Sequence, residues 1–364
     1  MNLLLFNLAT DADDMVLGFT TDWLTTLSRY FSNIHVITVR RGRFELPANV
    51  SVHSIGKERG WNRPRRTVEF YRCLFKVLRS HRIDVCFAHM IPIFAVLAAP
   101  VLKAKRIPIV IWYAHSTLNN TLRLAHWFSS KVVTSIEFAY PYKQDKVVTI
   151  GQGIDTNFFA PSADQSVPHS PRLIVAVGRI SQIKRIRILV SVARVLNTRR
   201  PGSLRVVLIG GPSTTADTIY LEQLKEAVAS QDLIAVVQFA GPKPRHELLG
   251  WYRSATVLVN LTGRGCGDKV VLEAMSCGTP VIVANEGFRT TLGTCAKRFV
   301  LADLQAETVA AAIENTCSLS QRERTDIGRY MREQVIALHS IDGLASRLHS
   351  VCKGLLMKAH DSKA

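Results

Sequence analysis

The sequence is short of acids. Aspartate and glutamate total 28 against 46 lysines and arginines in 364 residues, a formal net charge of +18. That imbalance points to an anionic partner: nucleic acid, acidic lipid headgroups or a phosphorylated substrate. Cysteine is sparse and scattered. Its seven positions (73, 86, 266, 277, 295, 317 and 352) include no Cys-x-x-Cys pair, so neither a disulfide framework nor a zinc site is suggested. A reducing cytoplasm is the expected location. The opening MNLLLFNLATDADDM has no basic leader and stops at acids, unlike a signal peptide. The most apolar later stretch, 85–102, is broken by His89, Pro92 and Pro100. It reads as buried strand and helix, not as a membrane span. Helix-turn-helix, RNP-like, KH-like and zinc-finger patterns are missing, so nucleic acid is not an expected partner.

What is present is a globular composition, 47% hydrophobic and 8% aromatic. At roughly 150 residues per domain the length suggests two domains. Apolar runs at 2–8, 35–39, 50–55, 83–87, 107–113, 132–135 and 146–150 read as strands. Helical periodicity falls at 16–31 and in the basic segment 65–82. The alternation predicts a mostly parallel sheet covered on both faces. It stops at 160–172, where PSADQSVPHSPR has no apolar period and reads as a linker. It then restarts, with strands at 173–177, 204–209, 236–239, 256–260 and 280–284. Helices are expected at 187–199, 220–230, 245–253 and 270–276, and through 306–356. The expected fold is α/β, with Rossmann-like lobes at 1–160 and 172–335. A C-terminal helix within 336–364 is expected to pack back toward the first lobe. Parallel sheets bind ligands beyond the carboxyl ends of their strands, so the cleft between lobes is the expected site.

Two segments carry chemistry. In VAVGRISQIKR, 175–185, Gly178 gives a tight exit from a strand. Arg179 and Lys184 then supply two cations, a fork and a point charge, that suit a diphosphate. A solvated basic turn is the plainer alternative. In LTGRGCGDKVVLEAMSCGTP, 261–280, Gly263, Gly265 and Gly267 precede a helix beginning near Asp268. Bare amides and a helix N-terminus favour anions. Glu273, among Val271, Leu272, Ala274 and Met275, needs a partner or a ligand hydroxyl. A ribose diol is one candidate, and a place on the wet face of the helix is the alternative.

VGRISQIK followed about ninety residues later by GDKVVLEAMSCGTPVIVAN resembles family 4 of the retaining glycosyltransferases, which have the GT-B architecture. IGQGIDTNFFAP, 150–161, resembles the family's interdomain segment, and WYAHS, 112–116, its strand end that carries a cleft histidine. The resemblance implies a nucleotide-sugar donor on the second lobe, with Arg179 and Lys184 on the diphosphate. It places Glu273 on the ribose and His115 near the transferred sugar. Gly178, Gly263, Gly265, Gly267, Asp268 and Lys269 complete the implied donor site. The family's first glutamate is replaced by Gly265, and Thr262, Gly263, Asp268 and Lys269 match a subgroup with that pattern. Asp268 is a candidate to take over part of the lost carboxylate's role.

On the first lobe, Asp13, Asp14 and His89 are candidates for contact with the acceptor. Asp11-Ala12-Asp13 spells Asp-x-Asp, but helix capping by Asp13 or Asp14 is preferred over metal binding. No metal and no cofactor are expected. The basic segment from Lys57 to Arg82, interleaved with Trp61, Phe70, Tyr71, Leu74 and Phe75, suits an anionic membrane surface. A solvated helix packed on the sheet is the alternative. The expected activity is sugar transfer to a saccharide or lipid-linked acceptor in cell-envelope synthesis. The alternatives are an epimerase, a hydrolase or a non-catalytic relative.

Overall fold

The computed structural model describes residues 1–14, 16–162, 171–263 and 267–361, with side chains described to Met357. The chain divides into two compact units, Met1–Gly153 with Ser340–Ala364, and Ile154–His339. The division falls at 153/154, not within the expected linker 160–172. Residues 154–160 belong to the second unit because Ile154 and Phe159 are buried in its core. Arg332 also donates to the carbonyls of Thr156 and Phe159, each at 3.0 Å, and Arg253 donates to that of Ala160 at 2.8 Å. The expected boundary at 335/336 likewise moves to 339/340.

The first unit contains β1 (Asn2–Thr10), α1 (Phe19–Leu27), β2 (Asn33–Arg41), β3 (Val50–Ser54), α2 (Arg63–Ser80), β4 (Val85–His89), α3 (Pro92–Ala104), β5 (Ile109–Trp112), α4 (Asn120–Phe128), β6 (Lys131–Thr134) and β7 (Val147–Thr149). Its seven strands lie in the order β3-β2-β1-β4-β5-β6-β7, with every pair parallel. The central strands are continuous apolar runs because helices cover both faces. Leu3, Leu4, Leu5 and Phe6 are all buried. The helix expected over 16–31 is shorter. The Asp14 carboxylate accepts the N–H groups of Val16 and Leu17, each at 2.8 Å, and holds them in a turn. α2 starts where the Asn62 side chain accepts Arg65 N–H at 3.1 Å, with a proline in its first turn. Phe70, Cys73, Leu74, Val77 and Leu78 form its buried stripe.

The second unit contains β8 (Arg172–Val177), α5 (Ile186–Arg199), β9 (Leu204–Ile209), α6 (Thr215–Ser230), β10 (Val237–Gly241), α7 (Arg245–Ser254), β11 (Val257–Asn260), α8 (Lys269–Ser276), β12 (Val281–Val283), α9 (Arg289–Leu292), α10 (Ala296–Phe299), α11 (Ala306–Cys317) and α12 (Gln321–His339). Its parallel sheet has the order β10-β9-β8-β11-β12. α12 approaches the end of α8 so closely that a Cβ at Gly328 would overlap the carbonyl oxygen of Gly278. The last helix, α13 (Ile341–Asp361), returns to the first unit. There Ile341, Leu344, Ala345, Leu348 and Cys352 share a core with Leu3, Trp23, Leu27 and Phe31. Among the described residues no helix is long and apolar enough to cross a membrane.

In each sheet the strand order reverses direction at one place: between β1 and β4 in the first unit, and between β8 and β11 in the second. The carboxyl ends of strands at such a reversal leave a crevice, which is where open α/β sheets bind ligands.

Candidate functional site

In the second unit, the loops that leave β8 and β11 meet at that reversal. β8 exits through Gly178, whose φ of 138° few side chains tolerate. Gly178 N–H donates to Ile209 O at 2.9 Å, and Ile180 N–H donates to Gly211 O at 3.0 Å. The β8 and β9 loops touch there, since a Cβ at Gly210 would overlap Gly178 O. A small cavity between them is lined by residues that include Gly178, Arg179, Lys184, Asn260 and Thr262.

Lys184 and Asp268 close this crevice. Lys184 Nζ lies 2.7 Å from Asp268 Oδ2, and both side chains are mostly buried. Asn260 Nδ2 donates to the same oxygen at 2.8 Å, while Asn260 Oδ1 accepts Thr262 N–H at 3.1 Å. Asp268 occupies the N-cap position of α8 without capping it by side chain; the ion pair uses its carboxylate instead. Among the described residues, the buried hydroxyls of Ser181 and Thr262 make no hydrogen bond. An unsatisfied buried hydroxyl is costly unless a ligand or water meets it. Arg179 is half exposed, 3.9 Å from Asp217 Oδ2.

The structure adds a cation that the sequence reading did not single out. Arg185 adopts the left-handed region at φ 54° as N-cap of α5. Its exposed side chain reaches the loop after β11, where a Cβ at Gly263 would sit 3.3 Å from Arg185 Nη2. Asn260, Asp217 and Gly210 were also not legible as site residues. Asp217 and Gly210 meet Arg179 and Gly178 from a different loop, Asn260 bonds Asp268 in the following turn, and no local motif marks any of them. Gly267 is buried just ahead of α8. Gly265 lies outside the described residues.

Glu273 is not on a wet face. It is 8% exposed and accepts a hydrogen bond from the Tyr252 hydroxyl at 2.8 Å. Burial pushes its carboxyl above the usual range, opposed by that hydrogen bond and then by Arg245 and Lys269. Burial next to Glu273 raises the Tyr252 phenol well above its ordinary value. Tyr252 is the partner that a carboxylate in an apolar run requires. Lys269, read from the sequence as a donor-site residue, lies in the first turn of α8, and its charge is one of those that favour the ionised form of Glu273.

In the first unit, the loop after β1 is held by ion pairs. Arg43 donates to both oxygens of Asp13 at 2.8 and 2.7 Å, and these bonds hold the Asp13 carboxyl below its usual range. Arg40 pairs with Asp14. Of the two capping candidates, Asp14 caps the turn ahead of α1, whereas Asp13 is taken by Arg43. Among the described residues no group of three or more His, Cys, Asp or Glu is placed to hold a metal ion. His89 is 5% exposed, enclosed by the rings of Trp23 at 4.6 Å, Phe19 at 5.9 Å and Trp112 at 6.0 Å. His115 is exposed, its Nδ1 accepting Thr117 N–H at 3.1 Å. On α2 the arginines at 63, 65, 72 and 79 and Lys76 are exposed. Trp61 lies between Arg59 and Arg65, with the guanidinium carbons 5.1 and 4.0 Å from its ring.

Comparison with known proteins places this geometry. The chain is 36% identical over 152 residues to the D-inositol 3-phosphate glycosyltransferase of Kineococcus radiotolerans, covering 39% of this chain and 35% of that protein. It is 34% identical over 160 residues to the protein of the same name from Frankia alni, covering 41% and 38%. The matched stretch thus spans little more than a third of these curated relatives. Solved structures align over nearly the whole chain. Sucrose-phosphate synthase from Thermosynechococcus elongatus gives a TM-score of 0.77 at 18% identity, covering 98% of this chain and all of that one. Anabaena Alr3699/HepE, solved with UDP and glucose, gives 0.74 at 17%, covering 97% and 99%. The fold is therefore the GT-B one, two Rossmann-like lobes followed by C-terminal helices. Residues 160–334, nearly all of the second unit, match the family model for glycosyl transferases group 1.

Proposed function

We propose that the protein is a retaining glycosyltransferase of family 4. It moves a hexose-type sugar from a nucleoside diphosphate donor to a saccharide or lipid-linked acceptor, without a metal ion. The observation that carries this reading is the crevice at the β8/β11 reversal. Lys184, Arg179 and Arg185 gather there with two unsatisfied buried hydroxyls, inside the segment that matches the family. HepE, a structural neighbour, was solved with UDP-glucose, so UDP-sugars are the first donors to test.

The chemistry asked of the site is electrostatic. As the bond between the anomeric carbon and the donor's β-phosphate oxygen breaks, charge grows on the leaving diphosphate. Lys184, Arg179 and the described amides at 261–263, 267 and 268 stabilise it. The acceptor oxygen bonds to the anomeric carbon on the face the diphosphate leaves. The acceptor proton passes to a leaving phosphate oxygen. Glu273, with Lys269 beside it, is assigned to the ribose hydroxyls. Gly178, Gly263, Gly267 and Asp268 shape the described parts of these loops.

His115, exposed at the end of β5, is assigned to the sugar side, and the loop bearing Asp13 and Asp14 to the acceptor. His89 is assigned the floor of that region, since its ring is enclosed. The exposed cations of α2, beside exposed Val68 and Phe75, are proposed to dock on an anionic membrane from the cytoplasmic side, each adding about 1 kcal/mol. A role in envelope glycan or glycolipid synthesis follows from such an acceptor.

The test is incubation with radiolabelled UDP- and GDP-sugars, with and without a lipid and saccharide acceptor mixture. Release of nucleoside diphosphate only with acceptor supports transfer. Release without acceptor assigns a hydrolase, conversion to an epimeric nucleotide sugar without net release assigns an epimerase, and no turnover of any donor contradicts the reading.

A further inference from the structure

A second cavity of the Ile154–His339 unit lies at the other end of β8, where the strand begins at Arg172. It encloses about 570 Å³, a size in the range of small-molecule sites. Ile174, Leu196, Leu204 and Ile313 form an apolar wall, and Arg172 and Arg200 are charged residues of its lining. The guanidinium groups of Arg172 and Arg200 have no hydrogen bond or ion pair among the described residues. The lining's one carboxylate, Glu314, is taken up by Arg199 at 2.7 Å.

Behind the lining lies a buried cation that has no counter-ion among the described residues. Arg324 is 5% exposed. Its guanidinium donates to Thr256 O at 2.6 Å and Thr316 O at 3.1 Å, both backbone carbonyls, and among the described residues it pairs with no carboxylate. Burial disfavours its charge, and neighbouring Arg172 disfavours it further. The carboxyl-end dipoles of α5 and α11 explain why cations gather here, but they supply only partial charges. Two adjacent guanidinium groups, one of them buried, remain uncompensated in a low dielectric.

We propose that this cavity binds a small amphiphilic carboxylate, its headgroup on Arg172 and Arg200 and its hydrocarbon part along Ile174, Leu196, Leu204 and Ile313. The anion supplies the missing counter-charge, and the apolar wall selects a hydrocarbon body over an inorganic ion. The site is separate from the donor crevice, about 20 Å away along the six residues of β8.

Octanoate is the probe, with octan-1-ol as its uncharged match, titrated calorimetrically into the full chain. Octanoate should bind saturably at one site, at least tenfold tighter than octan-1-ol. Arg172→Gln should weaken it at least tenfold. Arg200→Gln, an exposed change at a helix end that leaves the fold intact, should weaken it severalfold. Octanoate should also slow alkylation of Cys317, which lines the cavity. The proposal is overturned by no saturable binding, by equal binding of octan-1-ol, or by unchanged affinity in both variants.

Discussion

Lys184 and Asp268 stand 84 residues apart in sequence, yet the Lys184 ammonium and the Asp268 carboxylate meet at 2.7 Å. Lys184 follows β8 and Asp268 opens α8, so the pair bridges the two loops of the crevice. The carboxylate fixes the ammonium in place but also offsets its charge. A diphosphate bound as proposed would have to compete with Asp268 for that cation. Lys184→Ala should therefore cut turnover by about 10²-fold, the scale on which one transition-state charge contact acts. Asp268→Asn removes the competitor, and binding of the free nucleoside diphosphate should tighten several-fold by titration calorimetry. Weakened binding in Asp268→Asn would mean that the carboxylate serves the ligand rather than opposing it.

Glu273 gives a prediction with a pH sign. Its folded-state carboxyl titrates above the ordinary value because burial opposes ionisation. The native state therefore holds its proton to higher pH than the unfolded chain. The stability this adds is complete at low pH and is lost as pH rises through the folded-state value. Glu273→Gln keeps an acceptor for Tyr252 without the buried charge. It should raise the melting temperature at pH 7.5, with the gain shrinking toward pH 4, and should weaken nucleotide binding. An equal melting gain at both pH values would rule out the buried charge as its source.

His35 gives the opposite sign. Burial first, then the charges of His81 and His53, lower its pKa to about 4. Its ring stacks on His81 with centroids 4.1 Å apart, and Nδ1 meets Ser51 Oγ at 2.8 Å. A neutral buried imidazole contributes stability that is present above about pH 6.5 and lost as pH falls toward 4. Urea unfolding of wild type should show that decline. His35→Gln should flatten it, and an unchanged slope would point to other groups.

Two glycines separate packing from propensity. Gly328→Ala forces a methyl against the Gly278 carbonyl and should cost about 1–3 kcal/mol as overpacking. Gly250 sits inside α7 with nothing within 4 Å of a built Cβ. Gly250→Ala should stabilise by about 0.5–1 kcal/mol. Thermal unfolding of both should shift in opposite directions.

Strands and their parallel arrangement were legible because doubly covered strands are unbroken apolar runs, as in β1 and β8. Helix ends were less so. The length of α1 depends on the Asp14 carboxylate holding the residues before it in a turn. The unit boundary was misplaced because loss of periodicity marks where regular structure stops. The placement of 154–160 rests instead on Arg332 and Arg253, which are distant in sequence. Within the candidate site, Gly178, Arg179, Lys184 and Glu273 stood out by residue type in a local pattern. Tyr252 and Arg185 did not, since each is defined by a contact across the fold, and neither did Asn260, whose bond to Asp268 follows no recognisable spacing. His89, read as a site candidate for its position at a strand end, is closed in by aromatic rings that no spacing rule reveals.

The proposed catalysis requires that the β8/β11 crevice hold a nucleoside diphosphate through Lys184 and its neighbours. Titration calorimetry with UDP, GDP, dTDP and ADP, on wild type and Lys184→Ala, tests it most directly. At least one of these should bind saturably and one to one, and tenfold or more weaker in the variant. Binding of none, or equal affinity in the two proteins, would contradict it.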